Sequence, residues 1–358
     1  MDRQRVQQIL GFSELPDESG TWGMLLPGIG ERQVGAEPDA LDIVQELTPA
    51  VLAFRSAEAD ASRGWIFGLG LWVATFAACA TASVAVTPWH PTTTWTLASI
   101  AVGAQVLVFG LALFAAARAW RAPLAPPIVI SRRLRRIYAW ADKKTGWRVF
   151  DYDRLVPATF FGRVVTGAGA GTVYMLRLCE LEPGTRRITG SVGPVPPRGN
   201  PQACGAAWEF IRRYMDGPPE ALPAVKWQPP IGDLSTAWFQ IDRDMFVDHI
   251  DASHRLRPSL FSWVFVWFWS VIDHWQRIAA IWIQRTAPRP AYPAELVEAM
   301  RFDGANPYKR IEPTGDEALA LHARLPHMRL RWNAVRVLAT LLWGGLLVAM
   351  VAGAVTTR

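Results

Sequence analysis

What the chain lacks narrows it first. Its 358 residues hold three cysteines, Cys79, Cys179 and Cys204, whose spacing fits neither a metal knuckle nor a redox pair. Three unpaired thiols give no disulfide framework. There is no Gly-x-Ser-x-Gly elbow, no cysteine beside a histidine and no pair of histidines at zinc-helix spacing, so no nucleophile or metalloprotease signature marks an enzyme. The run Gly167-Ala-Gly-Ala-Gly171 leads into another strand-like stretch, without Gly-Lys-Ser/Thr, and reads as a hairpin turn and not a phosphate loop. No cofactor is expected, and no internal repeat is present. Met1–Leu10 carries Asp2, Arg3 and Arg5 and no apolar core, so the first apolar run is expected to serve as the targeting signal.

The most informative absence is that of charge. Trp65–Val86 and Trp95–Ala117 contain no Asp, Glu, Lys, Arg or His, and the eight residues Thr87 to Thr94 separate them. Each run passes the roughly 20 apolar residues that cross a bilayer as a helix. Lipid forces backbone groups to pair within the helix, so the two read as a transmembrane hairpin. Arg118, Arg121, Arg132, Arg133, Arg135 and Arg136 follow with no acid among them, whereas Pro88–Pro91 has no fixed charge. The positive-inside rule places those arginines, with Arg55 and Arg63, in the cytoplasm and the turn outside. A third run, Val337–Val355, preceded by Arg324, Arg329, Arg331 and Arg336, reads as a span leaving the carboxyl terminus external. Trp65, Trp95 and Trp343 suit interfacial anchoring. Uncharged spans offer no transport path, which sets a channel or transporter aside.

Residues 259–284 are different. Ser259, Ser262, Ser270, Asp273, Arg277 and Gln284 form one stripe at 100° per residue, with Phe265, Phe268, Trp275 and Trp282 opposite. Such a helix either lies in the headgroup plane or packs on the spans with its polar stripe inward. Arginines at both ends (Arg255, Arg257, Arg285, Arg289) favour the interfacial arrangement. The net charge of +6 clusters beside the spans, as topology and anionic lipid require, and no nucleic-acid partner is expected.

The rest divides into a turn-rich cytoplasmic leader, 1–62, with a short helix expected near Ala40–Leu47; the hairpin, 63–120; a β-rich cytoplasmic domain, 127–217; a cytoplasmic region, 218–336, holding the amphipathic helix; and the span 337–355. Ile128–Ile130, Arg135–Ala141, Arg148–Asp151, Arg163–Thr166, Val173–Cys179 and Arg187–Val192 are strand-like, punctuated by Lys144-Thr145-Gly146 and Glu182-Pro183-Gly184. Asn200 and Pro201 then start a helix whose apolar stripe is Ala207, Phe210, Ile211 and Tyr214, and Gly217-Pro218 stops it. Antiparallel strands closed by one helix, with the stretch "ISRRLRRIYAW…GWRVFDYDRLVP" (130–140, 146–157), resemble a bacterial membrane-tethered pleckstrin-homology-like domain. With "WEFIRRYMDGPPEALP" (208–223), the region also resembles an uncharacterised family of proteobacterial membrane proteins, a domain of unknown function associated with type VI secretion and its toxin–immunity neighbourhoods.

Two clusters invite chemistry. Arg132, Arg133, Arg135 and Arg136 with Tyr138 and Trp140 form a basic-aromatic patch fit for anionic lipid or a partner, or for setting topology alone. His249, Asp251 and His254 are the densest group of ligand types, weak candidates for a metal. The fold class expected is thus an α+β membrane protein: a transmembrane helical hairpin, a cytoplasmic antiparallel β domain of pleckstrin-homology-like plan, and a C-terminal transmembrane helix. The expected function is that of a multi-pass bacterial inner-membrane protein, with amino terminus and body cytoplasmic and carboxyl terminus periplasmic. It would be a non-catalytic binder of a protein partner, such as a secreted toxin or secretion-system component, acting as an immunity or accessory protein. The alternatives are anionic-lipid recognition through the arginines, or a membrane-associated hydrolase using His249, Asp251 or His254.

Overall fold

The computed structural model describes residues 22–31, 37–40, 42–54, 57–86, 95–166, 169–185, 187–226 and 233–356. The turn Thr87–Thr94, Arg55 and Met1–Leu10 lie outside them. The chain is α+β with antiparallel sheets, and it divides into two compact units. One comprises Met1–Ala57, Ala125–Gln228 and Pro290–Glu312; the other comprises Glu58–Leu124, Pro229–Arg289 and Pro313–Arg358.

The first unit, the body, holds the strands. Strands β2 (Val44–Leu47), β3 (Val51–Phe54), β4 (Ile128–Ser131), β5 (Arg136–Asp142) and β6 (Gly146–Asp151) form an antiparallel sheet in sequence order. Strands β7 (Val156–Thr166), β8 (Gly169–Leu181) and β9 (Ile188–Val192) form a second sheet, with β1 (Trp22–Leu25) on the free edge of β7. Thr166 pairs with Gly169, so the glycine run closes a hairpin whose tip, 167–168, lies outside the described residues.

Period two explains the layers. Leu52, Phe54, Ile130, Ile137 and Phe150 face one core with Leu176, Leu178 and Val192 of the second sheet. Into it helix α3 (Pro201–Asp216) sends Trp208, Phe210, Ile211 and Tyr214. Val51, Ala53, Val129 and Tyr138 face the other way, under Leu296 and the segment around it. Burial on both faces is why β3 and β4 read as unbroken apolar runs. The Asn200 side chain accepts from the Gln202 amide at 2.6 Å and caps α3 as its sequence requires.

The leader departs from expectation. A helix was expected near Ala40–Leu47, but Val44–Leu47 is strand β2, since pairing with β3 and burial of Val44 and Leu47 outweigh local propensity. The leader thus supplies three strands to the body.

The second unit is helical. Its described elements are α1 (Ala57–Val86), α2 (Trp95–Arg121), α4 (Leu234–Asp244), α5 (Leu260–Thr286), α7 (Gly315–Leu321) and α8 (Pro326–Thr356); α6 (Ala294–Met300) belongs to the body. Among the described residues two helices are long and apolar enough to cross a membrane, over Arg63–Ala82 and Ser99–Arg121. They meet through small residues: a Cβ at Gly70 would lie 2.9 Å from the Ala112 carbonyl oxygen and 3.1 Å from the Ala116 methyl. Arg63 donates to the carbonyl oxygens of Ala119, Ala122 and Pro123, capping the carboxyl end of α2.

The expected third span needs correction. Residues 337–355 are the later part of a 31-residue helix, and α8 as a whole is not apolar, because Arg329, Arg331 and Arg336 share it. Its inward stripe, Met328, Trp332, Val335 and Ala339, recurs at three and four residues and packs on α5, while Leu330, Leu341, Leu346 and Val348 are exposed.

Candidate functional site

The basic-aromatic stretch forms the turn between β4 and β5, and its arginines are engaged by the body itself. Arg132 donates to the Gly217 carbonyl at 2.6 Å and the Tyr308 hydroxyl at 3.0 Å, holding the carboxyl end of α3. Arg133 donates to the Arg301 carbonyl at 2.8 Å. Arg136 pairs with Glu295 at 2.9 Å, and the buried Tyr138 hydroxyl donates to the same carboxylate at 2.7 Å. Burial, then Glu295, pushes the Tyr138 hydroxyl up to about 12. Trp140 stands edge-on to Trp147, whose indole donates to the Ala291 carbonyl. The patch therefore fastens α3 and 290–312 onto the sheet, a role invisible without the acceptors.

Arg135 occupies the left-handed region at φ 50°. Its carbonyl accepts from the Tyr152 amide at 2.9 Å, and its guanidinium chelates Asp153 and reaches Asp216 at 2.9 Å. The Arg135 hydrogen bond holds the Asp153 carboxyl below the usual carboxylate range. A lowered folded value stabilises fully above the unfolded value near pH 4 and is lost as pH falls through the folded one. The pair is half exposed and screened, so Asp153→Asn is expected to cost at most about 1 kcal/mol at pH 7. Denaturant titrations of wild type and variant should converge in strong acid.

The metal candidates diverge. His249 Nδ1 meets the Ser262 hydroxyl at 3.1 Å, with its ring against Phe265 at 4.6 Å. Asp251 accepts from the Ser253 and Arg255 amides and closes a turn. His254, at φ 58°, turns to Asp242, its Nδ1 3.3 Å from Oδ2. No group of three or more metal-ligand types forms among the described residues. The His249–Ser262 pair has the elements of a nucleophile and base, but Ser262 is buried and aromatic rings, Phe261 and Phe265, flank the imidazole.

The densest polar arrangement lies inside the helical unit; the sequence singled out its His254, Asp273 and Arg277 but not Asp242 or its pairing with Arg331. Asp242 on α4, 1% exposed, receives the Arg331 guanidinium from α8 as well as His254. Trp238 and Trp332 stack beside this pair at 5.5 Å, with planes 2° apart. A second pair, Asp273–Arg277, joins successive turns of α5 around a cavity of about 10 Å³ that Ser270 and His274 also line. The polar stripe of α5 thus faces inward: Ser262, Ser270, Asp273, His274 and Gln276 are buried.

Of its aromatic face, Phe268, Trp275 and Trp282 are exposed and Phe265 is half-buried. Gln276 meets both Gly64 and Gly68 of α1, Ala280 meets Gly64, and Trp282 lies 5.2 Å from Phe67 and 4.9 Å from Trp120. Of the two arrangements weighed from the sequence, the buried stripe fits the one that packs its polar side inward.

No protein-family model, curated protein or solved structure matches this chain.

Proposed function

We propose that the helical unit anchors this protein in a membrane and that the body binds a protein partner without catalysis. One observation carries the anchoring: the two apolar stretches of α1 and α2 are only 17% and 11% buried within the structure. A helix of a soluble core hides its apolar side chains; these leave theirs exposed while polar groups of α5 and α8 turn inward, the arrangement that lipid favours. The arginine flanks support an amino terminus and a body on the cytoplasmic side of a bacterial membrane.

For the body, the pleckstrin-homology-like reading is supported by the run of antiparallel strands β4 to β9 followed directly by α3, whose apolar face enters the core. The resemblance of Ile130–Trp140, Gly146–Pro157 and Trp208–Pro223 to a type VI secretion-associated family supports a role as an immunity or accessory protein. Its partner would be a secreted toxin or a secretion-system component. The engagement of Arg132, Arg133, Arg135 and Arg136 by internal acceptors weighs against lipid recognition at that turn. An anchored module gains effective concentration against partners that reach the same surface.

Affinity purification of the detergent-solubilised protein from its host, with mass spectrometry, tests the reading. One stoichiometric secreted or secretion-system protein is the expected result. Recovery of the chain with anionic lipid and no stoichiometric protein would contradict it.

A further inference from the structure

The helical unit carries a groove of about 420 Å³ beside the buried Asp242–Arg331 pair. Trp263 and Trp267 of α5 and Leu330 and Ala334 of α8 make its apolar wall. Arg255, His327, His254 and Arg331 line its polar part, and no acid is among the lining residues. Arg255 is exposed, and among the described residues no ion pair engages it. Arg331, 7% exposed, commits Nη2 to Asp242 and Nη1 to the His254 carbonyl at 3.5 Å, and keeps its Nε without a partner. Two cations, one screened by Asp242, therefore stand beside an aromatic and aliphatic trough, and Leu260, Phe261 and Val264 of the same helix as Trp263 are exposed.

We propose that this groove holds one anionic phospholipid, its phosphate at Arg255 and Arg331 and its glycerol and upper acyl chains along Trp263, Trp267 and Leu330. The charge complementarity is that of a single phosphodiester, for which guanidinium forks are suited. Groove size falls within the range that encloses a small ligand or the head of an amphiphile. Basic pockets between membrane helices hold such headgroups through the same chemistry. The inference rests on the membrane reading of the helical unit, since only there does the apolar wall meet acyl chains and not water.

The full chain, reconstituted in phosphatidylcholine nanodiscs doped with a photoactivatable phosphatidylglycerol, provides the test. Cross-links should map to α5 and α8 around Trp263 and Leu330. Arg255→Glu, at an exposed position, is expected to lower their yield about tenfold. Leu330→Glu, 73% exposed in the wild type, should do the same by placing a carboxylate in the trough. Arg255→Lys should retain most of the yield, because a point charge still attracts the phosphate. Uniform labelling that neither charge reversal nor Leu330→Glu alters would overturn the proposal. So would full competition by millimolar glycerol phosphate, which would assign the cations to a free phosphate. Protein that fails to enter the nanodiscs at all would instead contradict the membrane anchoring itself.

Discussion

Arg331→Met is expected to destabilise the helical unit by about 3–5 kcal/mol, the range for removing one partner of a buried ion pair. Asp242 has 1% of its surface exposed, and with Arg331 gone its carboxylate would keep only His254, at 3.3 Å. Desolvation without a counter-charge sets the cost, not the lost Coulomb term alone. Asp242→Ala should cost a comparable amount, because it strands the guanidinium among Trp332 and the α5 side chains. The double variant Asp242→Leu/Arg331→Met removes both charges and should recover all but about 1–2 kcal/mol of the loss. Denaturant unfolding of the four proteins in one detergent, read as a double-mutant cycle, measures this. Strict additivity of the two single losses would show that the pair is not coupled.

Gly64→Val should separate α5 from α1. A Cβ at Gly64 would stand 2.5 Å from both the Gln276 carbonyl oxygen and the Ala280 Cβ, and backbone there has no rotamer by which to yield. Overpacking of this kind costs about 1–3 kcal/mol and more where main chain is struck. Gly103→Val, on α2 with nothing within 4 Å, is the matched control and should be silent. A direct readout is at hand. A Cβ at Gly68 lies 3.9 Å from that of Gln276, within disulfide range, so Gly68→Cys/Gln276→Cys should oxidise readily once the three native cysteines are replaced. Adding Gly64→Val should abolish that bridge, and adding Gly103→Val should leave it intact. Equal bridging in both would mean that α5 does not rest on Gly64.

These two sites show what the sequence discloses and what it withholds. The glycines four apart at Gly64 and Gly68 are visible as a small-residue spacing, and the structure uses them for close helix approach, though by α5 and not by another span. The two apolar helices and the capped helix α3 depend on local patterns, so they could be read directly from spacing. The strands of 128–192 also announce themselves, through alternation and the turn glycines Gly146 and Gly184, both at positive φ.

What could not be read depends on distant pairing. Strands β2 and β3 are four residues each and acquire their identity from β4, 74 or more positions downstream of β3 in pairs such as Phe54 with Ile128. A local signal did exist: the Thr48 hydroxyl accepts from the Ala50 and Val51 amides beside Pro49, a hairpin turn in miniature. The Asp242–Arg331 pair joins residues 89 apart and left no local trace. His254 looked like a metal ligand because Asp251 and His249 are near it in sequence, whereas its partner is Asp242 on the preceding helix. The arginines 132–136 looked like a free cationic surface for the same reason, since Gly217, Asp216, Glu295 and Arg301 are distant in the chain.

Membrane insertion of α1 and α2 is the claim on which the rest depends, and cysteine accessibility in intact cells tests it most directly. In a background without native cysteines, Val106→Cys, 55% exposed on α2, should resist a water-soluble, membrane-impermeant maleimide until detergent is added. Pro88→Cys, in the expected external turn, should react from outside at once, and the protein should remain in the membrane after an alkaline carbonate wash. Free reaction of Val106→Cys in washed, open membranes, or release of the chain by carbonate, would contradict the account.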